Sequence, residues 1–179
     1  SMGANLIQVS VMDDKDKPVK LSDLEDLAEE EEIRETAPVA QINSTASTTY
    51  AEETAVVYGT TGAYSDIMQQ ELYSGRFLKN TDVDNHTNVA VINAELATEV
   101  LGRMDVVGET IKLDGVSYMV VGVLQADDSD TSTTQTYEAY IPYTSLVRLT
   151  DSVSMEITSF YVSAVSEESM DPAEEVVTE

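Results

Sequence analysis

The chain has 179 residues, of which 42% are hydrophobic, enough to bury the core of one sizeable domain or two small ones. Thirty-four Asp and Glu residues against nine Lys and Arg residues give a formal net charge of -25, which repels phosphate backbones and anionic membrane surfaces and argues against nucleic-acid binding. The absence of cysteine excludes disulfides, zinc-thiolate sites and cysteine nucleophiles.

Neither end of the sequence resembles a natural terminus. Residues 1–2, Ser-Met, look like a cloning scar, and no signal peptide follows them. The longest apolar run, Met119–Leu124, has the length of a strand, far below the ~20 residues that cross a bilayer. We therefore expect the chain to be a piece of a larger protein.

The first elements are a strand and an amphipathic helix. Residues Asn5–Val11 alternate and are rich in β-branched side chains, which predicts a strand. Ser22 and Glu25 have capping-box spacing, and leucines at helical intervals predict a helix from there to about Ile33. The acidic run Glu29–Glu32 is then the exposed face of this helix rather than a cation-binding patch, because adjacent helical positions point in different directions.

The middle of the chain predicts a long hairpin followed by helices and a buried strand. Val39–Thr61 is dense in Thr, Ser, Ala and Val, and Tyr50–Glu53 is its turn. Ala63–Leu72 predicts a short helix. Val89–Ile92 predicts a buried strand that leads into a helix over residues 93–101, which Gly102 closes.

The clearest hairpin pairs Glu109–Leu113 with Val116–Leu124 through Asp114 and Gly115, because an Asp-Gly turn permits the positive φ that a tight turn needs. Four further elements and one loop complete the chain: a polar loop over 125–136, a strand over 137–142, a helix over 144–149, a strand over 159–165 and the start of a helix at Asp171.

The residues contain no pattern of a catalytic or phosphate-binding site. The single histidine, His86, lies in a polar stretch without a second imidazole or a thiol, so we assign it to a surface loop. Gly59–Gly62 lacks the Lys-Ser/Thr pair that holds a phosphate, and no Gly-x-Ser-x-Gly elbow is present. We therefore predict no catalytic and no cofactor-binding residue.

An acidic segment partly matches a calcium-binding loop. Asp127, Asp128 and Asp130, with Glu138 eleven residues after Asp127, faintly resemble an EF-hand loop. Ser132 replaces the glycine of the sharp turn, however, and a strand rather than a helix follows. We predict no metal-binding residue and interpret the segment as an acidic loop, with weak calcium binding at millimolar concentration left open.

The order of short motifs resembles that of the MacB-type periplasmic core domain, the extracytoplasmic domain between the first and second transmembrane helices of many FtsX-like ABC transporter permeases. The resemblance covers nearly the whole chain and rests on five segments: Gly59–Tyr64 (G-x-x-x-x-Y), Leu72–Phe77 (L-x-x-G-R, with Phe one position early), Val107–Ile111 (V-G-x-x-I), Val120–Val123 (V-I-G-V, with Val121 for Ile) and Tyr140–Pro142 (Y-I-P).

The resemblance implies a structural role for Arg76. In such domains Gly75, Arg76 and Phe77 belong to the turn that leaves a helix. Gly75 supplies the unusual backbone, Phe77 packs, and Arg76 bonds nearby carbonyls or a carboxylate.

The resemblance also implies an α+β fold in two subdomains. Residues 3–58 together with 144–179 correspond to a porter-like α/β part formed by both chain ends. Residues 59–143 correspond to an inserted, β-rich, Sabre-like part.

The function implied by the resemblance is non-enzymatic. The domain couples a cytosolic ATPase to export or to events at the outer face of a bacterial membrane, anchored by the transmembrane helices of its own full-length chain. Its partners are then those helices, the ATPase, a second permease copy, and a peptide substrate or accessory protein. The excised domain is expected to be a monomer. The alternative is an extracellular sensor that binds cationic peptides or antibiotics, which the acidic surface attracts; a calcium-dependent adhesin is a third class.

Overall fold

The computed structural model describes residues 6–10, 19–126 and 136–165. They form ten strands and five helices: β1 (Leu6–Ser10), α1 (Leu21–Leu27), β2 (Ile33–Pro38), β3 (Ala40–Ser47), β4 (Glu52–Thr60), α2 (Ala63–Ile67), β5 (Leu72–Gly75), α3 (Asn80–Asp84), β6 (Val89–Asn93), α4 (Ala94–Leu101), β7 (Thr110–Leu113), β8 (Val116–Leu124), β9 (Glu138–Pro142), α5 (Tyr143–Leu149) and β10 (Ser159–Ala164). Within these ranges, none of the helices is long and apolar enough to cross a membrane.

The smaller sheet has three antiparallel strands in the order β1-β10-β2. The first and last strands are neighbours, and Leu6 lies opposite Ser163. Helix α1 covers this sheet, with Leu24 packed in a cluster that contains Phe160 and Val162. The chain therefore enters and leaves the described fold through the same sheet.

The larger sheet has seven strands in the order β5-β8-β6-β9-β4-β3-β7, and β7 also pairs with β8. The sheet consequently curls back on itself, so that β8 has β6 on one edge and β7 and then β5 on the other. Two pairings are parallel, β4 with β9 and β6 with β8. The mixed α+β fold that the sequence predicts is confirmed.

Alternating residues of the larger sheet enter two different hydrophobic clusters. Along β6, Ala90 and Ile92 pack in the cluster that α4 and α5 cover, whereas Val89 and Val91 pack in the cluster that faces α2 and the smaller sheet. This two-residue period is the one that a strand dictates. Both faces of β6 are buried, as all five of its residues show.

Two local predictions hold at the level of single residues, the end of α4 at Gly102 and the turn at Asp114 and Gly115. Asn93 caps α4, with its side-chain oxygen accepting from the Leu96 amide at 3.1 Å, and Gly102 ends the helix in the left-handed conformation. Asp114 and Gly115 both have positive φ, 49° and 83°, as a tight β7-β8 turn requires.

Helix α1 is shorter than predicted. It ends at Leu27, and Ile33 begins β2 instead of closing the helix. The acidic run Glu29–Glu32 therefore lies in the turn between the two elements and not on a helical face. The predicted Ser22 capping box is also wrong, because the Asp23 carboxylate accepts from the Lys20 amide at 2.9 Å, two positions earlier in both members.

Helix α2 is likewise shorter than predicted. It ends at Ile67, and Gln69 takes a positive φ of 55° that stops it. Leu72–Gly75 then forms strand β5 on the edge of β8, so the Gly75 turn leaves a strand and not a helix. Pairing with β8 supplies the hydrogen bonds that a longer helix would have made.

The division into subdomains at residues 58 and 143 stays a prediction. Strands β3 and β4 fall in the predicted first part, yet they pair with β7 and β9 of the second. If the strands are divided by sheet, the chain passes from the smaller sheet to the larger one near residue 39, between β2 and β3. Several predictions lie outside the described residues: the cloning scar at 1–2, most of the polar loop with Asp127, Asp128 and Asp130, and the helix at Asp171.

Candidate functional site at the junction of the two sheets

A cluster of aromatic rings joins the two sheets. Tyr161 on β10 contacts Tyr64 on α2 edge to face, with ring centroids 5.9 Å apart. Tyr64 in turn contacts Tyr140 on β9 at 5.6 Å. These three rings therefore form a continuous contact from the smaller sheet to the middle of the larger one.

Tyr140 is the centre of this aromatic junction. Tyr58 of β4 stacks on it with centroids 5.0 Å apart and an angle of 12° between the planes, and Phe77 contacts it at 5.9 Å. Tyr140 and Tyr64 are only 3% and 6% exposed. Each aromatic pair contributes about 0.5 to 1.5 kcal/mol beyond the burial of its area, so the junction is a firm contact.

Burial determines the ionisation of the junction. It raises the pKa of Tyr58 to about 12, with a further contribution from the negative charge of Glu138. Burial also raises the pKa of Tyr64 and of Tyr140. All three phenols consequently stay protonated at neutral pH and act as packing groups with hydroxyl donors.

Glu138 and Asn93 occupy the edge of the junction. Burial raises the pKa of the Glu138 carboxyl, against the lowering effect of hydrogen bonds from Tyr58 and Asn93. The Asn93 amide nitrogen donates to the Thr136 carbonyl at 2.7 Å, and its oxygen accepts from the Glu138 amide at 3.1 Å. Asn93 thus ties α4 to β9 as well as capping the helix.

A pair of carboxyl groups crosses the same junction. Glu35 of β2 lies within hydrogen-bonding reach of Asp66 of α2, and its pKa is raised by burial first and by the charge of Asp66 second. The Arg34 guanidinium is 3.9 Å from Glu35 and opposes that rise. Glu35, Asp66 and Ser163 line a small cavity of about 60 Å³. The smaller sheet therefore meets α2 through polar as well as aromatic groups.

Arg76 has the structural contacts that the sequence resemblance implied. Its guanidinium Nη1 donates to the Phe77 carbonyl at 3.0 Å and to Asp82 Oδ2 at 2.9 Å. The same Asp82 oxygen accepts from the Lys79 amide at 2.9 Å, in the first turn of α3. Gly75 has φ 76° and Phe77 is buried. Arg76 thus connects the end of β5 to α3.

The remaining candidate residues are dispersed. His86 follows α3 in a left-handed conformation, is half-buried, and belongs to none of the aromatic contacts. A Cβ at Gly59 would lie 2.6 Å from the Leu146 side chain, so this glycine lets α5 pack on β4. Across 6–10, 19–126 and 136–165, the structure holds no group of three or more His, Cys, Asp or Glu that could bind a metal ion. That the chain has no catalytic, cofactor-binding or metal-binding residue stays a prediction.

The aromatic junction itself was not predicted, although a signal for it was present. Tyr64, Phe77 and Tyr140 each belong to a different motif of the family resemblance, G-x-x-x-x-Y, G-R-F and Y-I-P. The structure brings these three aromatic residues together around the Tyr140 ring. The motifs are therefore three parts of one packing site.

Comparison with known proteins places the chain in a family. The model of the MacB-like periplasmic core domain family matches residues 1–179. The macrolide export ATP-binding/permease protein MacB of Neisseria gonorrhoeae is 23% identical over 154 residues, which cover 82% of this chain and 24% of that protein. MacB of Bdellovibrio bacteriovorus is 31% identical over 107 residues, covering 56% and 16% respectively. The chain therefore spans about a quarter or less of these relatives.

Two solved structures share the fold. The periplasmic region of MacB from Actinobacillus actinomycetemcomitans has a TM-score of 0.78 at 20% identity, covering 99% of this chain and 84% of that one. The extracellular domain of the noncanonic ABC-type transporter YknZ from Gram-positive bacteria has a TM-score of 0.75 at 16% identity, covering 94% and 88%. The chain therefore belongs to the MacB-like periplasmic core domain family and is an extracytoplasmic domain of the type found in ABC transporter permeases.

Proposed function

We propose that this domain is a non-catalytic coupling element, which links a cytosolic ATPase to export or to events at the outer face of the membrane. One observation carries the proposal: the first and last strands, β1 and β10, are antiparallel neighbours in the smaller sheet, and that sheet contacts the larger one through the aromatic junction. Membrane helices attached before β1 and after β10 would both act on the smaller sheet. Movement of these helices then reaches the larger sheet through Tyr161, Tyr64 and Tyr140.

The partners in this proposal are the flanking transmembrane helices, a second permease copy and the ATPase. Relatives that carry both functions are named ATP-binding/permease proteins, which supports an ATPase in the same assembly. The domain's net charge of -25 disfavours nucleotide binding at the domain itself. ATP hydrolysis is thus assigned to another part of the transporter.

The test uses the full-length permease, reconstituted with its ATPase in lipid vesicles. Tyr161→Ala removes the ring that connects β10 to α2, and Tyr50→Ala is the matched control, since Tyr50 is 92% exposed at the tip of the β3-β4 hairpin. The measured quantity is the ATPase excess, which is the ATPase activity of the assembly minus the activity of an assembly whose permease lacks this domain. We expect Tyr161→Ala to lower the ATPase excess. Tyr50→Ala keeps this excess.

Assembly is measured in parallel by co-purification of the ATPase with each permease variant. Coupling through the junction is contradicted if Tyr161→Ala and Tyr50→Ala lose the ATPase excess equally. It is also contradicted if both variants assemble with the ATPase and keep the full ATPase excess.

A second candidate function is recognition of a cationic peptide. It is favoured by the charge of the chain, because its 34 Asp and Glu residues outnumber its nine Lys and Arg residues and attract cations over long range. A peptide rich in lysine is titrated into the isolated domain at low and at high salt. Binding that salt weakens supports this function, and absence of binding at low salt excludes it.

A further inference from the structure

An apolar groove lies at the edge of β8 where its neighbour changes from β7 to β5. We call it the β8 groove, and its volume is about 420 Å³. One wall is formed by Gly75 and Arg76 and the other by Val107 and Gly108, and residues 119–121 of β8 complete the lining.

The hydrogen bonding of β8 explains why the groove exists. On one side the Gly108 amide donates to the Val120 carbonyl at 2.8 Å. One residue further, the Arg76 amide donates to the Val121 carbonyl at 2.9 Å. The segments that follow α4 and β5 thus reach the same edge of β8 from opposite ends, and the groove is the space between them.

No side chain can be accommodated at Gly75, where one wall of the groove lies close to both β8 and the other wall. Gly75 has a φ of 76°, and a Cβ there would lie 2.9 Å from the Val107 methyl and 2.1 Å from the Val121 carbonyl oxygen. The backbone of β5 is therefore pressed against β8 at this point. The groove is consequently a fixed feature of the fold.

Exposed apolar side chains are concentrated around the β8 groove. Eight large hydrophobic residues of the described chain are exposed, and five of them lie on β5, on β8 or just before β7, namely Leu72, Tyr73, Val107, Val116 and Met119. Val107 and Met119, in the groove itself, are 45% and 48% exposed. Such concentration marks an interaction surface, whereas single exposed hydrophobic residues do not.

Backbone groups are also available beside the groove. Strand β5 pairs with β8 on one edge, and its other edge has no strand partner in the described parts of the chain. Tyr73 in the middle of β5 is 47% exposed. An extended segment can therefore add to this edge with its backbone and place side chains in the groove.

The charge of the domain determines the kind of segment. The one guanidinium group that lines the groove, Arg76, is already paired with Asp82 at 2.9 Å, and Arg103, four positions before Val107, is paired with Glu109 at 2.7 Å. The carboxylates of Glu71, next to β5, and Asp105, two positions before Val107, are exposed, and neither belongs to an ion pair within the described ranges. Lys79 and Lys112 are also exposed nearby and belong to no ion pair within the described ranges, so the attraction of a cation comes from the net charge of -25 of the whole chain. A second copy of the chain is repelled, and a basic partner is attracted.

We propose that the β8 groove and the free edge of β5 bind an extended cationic polypeptide segment, whose apolar side chains enter the groove while its basic residues face the surrounding carboxylates. This proposal rests on the second candidate function above and gives that function a site. Apolar contact supplies the specificity for the groove, and charge supplies the attraction.

The test probe is the capped peptide Lys-Leu-Lys-Val-Lys-Phe-Lys, whose apolar residues share one face of a strand. Two control peptides separate the contributions, one with serine in place of each apolar residue and one with glutamate in place of each lysine. Affinity for the isolated domain is measured by fluorescence anisotropy at about 50 mM and about 500 mM NaCl, which differ widely in screening length.

Two pairs of variants locate the binding site. Met119→Gln is compared with Met155→Gln, since the two methionines are 48% and 43% exposed but Met155 lies outside the groove. Val107→Ser is compared with Val165→Ser, because Val165 is 57% exposed on the smaller sheet side of the molecule. Thermal melting of each variant verifies that it is folded.

We expect the apolar cationic peptide to bind at low salt, and Met119→Gln and Val107→Ser each to weaken it by roughly tenfold, in line with the loss of one buried apolar side chain. The Met155 and Val165 variants bind as the unaltered domain does. The serine and glutamate peptides bind at least tenfold more weakly, because each lacks one of the two contributions.

Several results overturn the proposal. Binding that all four variants leave unchanged removes the groove but keeps recognition of cationic peptides. Absence of binding by any lysine peptide removes that function as well. Equal binding of the serine peptide means that attraction is purely electrostatic. A dimer that Met119→Gln dissociates means that a second copy of the chain occupies the groove.

Discussion

Removal of the Arg76 guanidinium is expected to destabilise the fold, and the variant Arg76→Met does this while keeping most of the apolar stem. The substitution takes away hydrogen bonds to Asp82 Oδ2 at 2.9 Å and to the Phe77 carbonyl at 3.0 Å. It leaves the Asp82 carboxylate, whose side chain is 9% exposed, without its counter-ion.

The cost lies between two limits. Breaking a fully buried pair costs about 3 to 5 kcal/mol, whereas an exposed pair is worth about 0 to 1 kcal/mol. The Arg76 and Asp82 side chains are 35% and 9% exposed, so the pair is partly buried. We expect Arg76→Met to lower the free energy of unfolding by about 2 kcal/mol. Arg103→Met is the control, because Arg103 and Glu109 are 58% and 48% exposed.

Urea denaturation followed by circular dichroism measures both variants, with an unchanged m value as the sign that only stability has altered. The double variant Arg76→Met/Asp82→Asn should lose about 1 kcal/mol less than the sum of its single variants, since the two residues interact directly. A cost for Arg76→Met no larger than that for Arg103→Met would show that Arg76 does not stabilise the β5-α3 connection.

Three further predictions concern the β7-β8 turn, the carboxyl pair and assembly. Gly115→Val is expected to cost about 2 kcal/mol or more and Asp114→Asn less than about 1, because a β-branched residue resists positive φ whereas Asn tolerates it; equal melting temperatures would contradict this. The raised pKa of Glu35 means that the native state holds its proton more tightly than the unfolded chain, so its contribution to stability is fully present below the ordinary value of 4.5 and is lost as pH rises through the folded-state pKa. Glu35→Gln should therefore gain melting temperature relative to the unaltered domain between about pH 4 and about pH 7, unlike the exposed control Glu52→Gln; a constant difference across that range would contradict the raised pKa of Glu35. The isolated domain should sediment as a monomer at micromolar concentration and low salt, because copies of charge -25 repel each other; a tight dimer under those conditions would refute this.

Features governed by neighbouring residues could be predicted from the sequence. Asp114 and Gly115 specify their turn through backbone preference alone, and Asn93 and Gly102 specify the ends of α4 by capping. These signals do not depend on what the element packs against. They are therefore readable without knowledge of the tertiary structure.

Features governed by distant partners could not be predicted in the same way. Ile33 fits the helical spacing of α1, yet it joins β2 because residues 33–38 pair with β10 more than 120 positions later in the chain. The residues before Gly75 leave α2 for the same reason, pairing with β8. Tertiary hydrogen bonding overrode helical periodicity in both places.

The aromatic junction shows the same limit for the candidate site. Tyr58 and Tyr140 stack because β4 and β9 are parallel neighbours, a pairing that no local pattern indicates. The resemblance to the family supplied the motifs that contain Tyr64 and Tyr140 but not their contact. Only the fold shows that they share a ring cluster with Tyr161.

The proposed coupling requires that the junction transmits movement as a fixed contact and not as a hinge. Glu35 and Asp66 face each other across it, on β2 and α2, and the chain has no cysteine of its own. The variant Glu35→Cys/Asp66→Cys, made in a full-length permease in which any cysteine outside residues 1–179 is replaced and treated with a short bismaleimide, therefore locks the smaller sheet to α2 at a defined place. The same variant treated with a monofunctional maleimide is the control.

The most direct measurement is the ATPase excess that depends on the outer domain, in the full-length permease reconstituted with its ATPase, before and after this cross-link. Coupling through a fixed junction predicts that the cross-linked permease keeps the excess of the monofunctional control. Loss of the excess on cross-linking alone would mean that the two sheets must move against each other at Glu35 and Asp66, and would contradict the account.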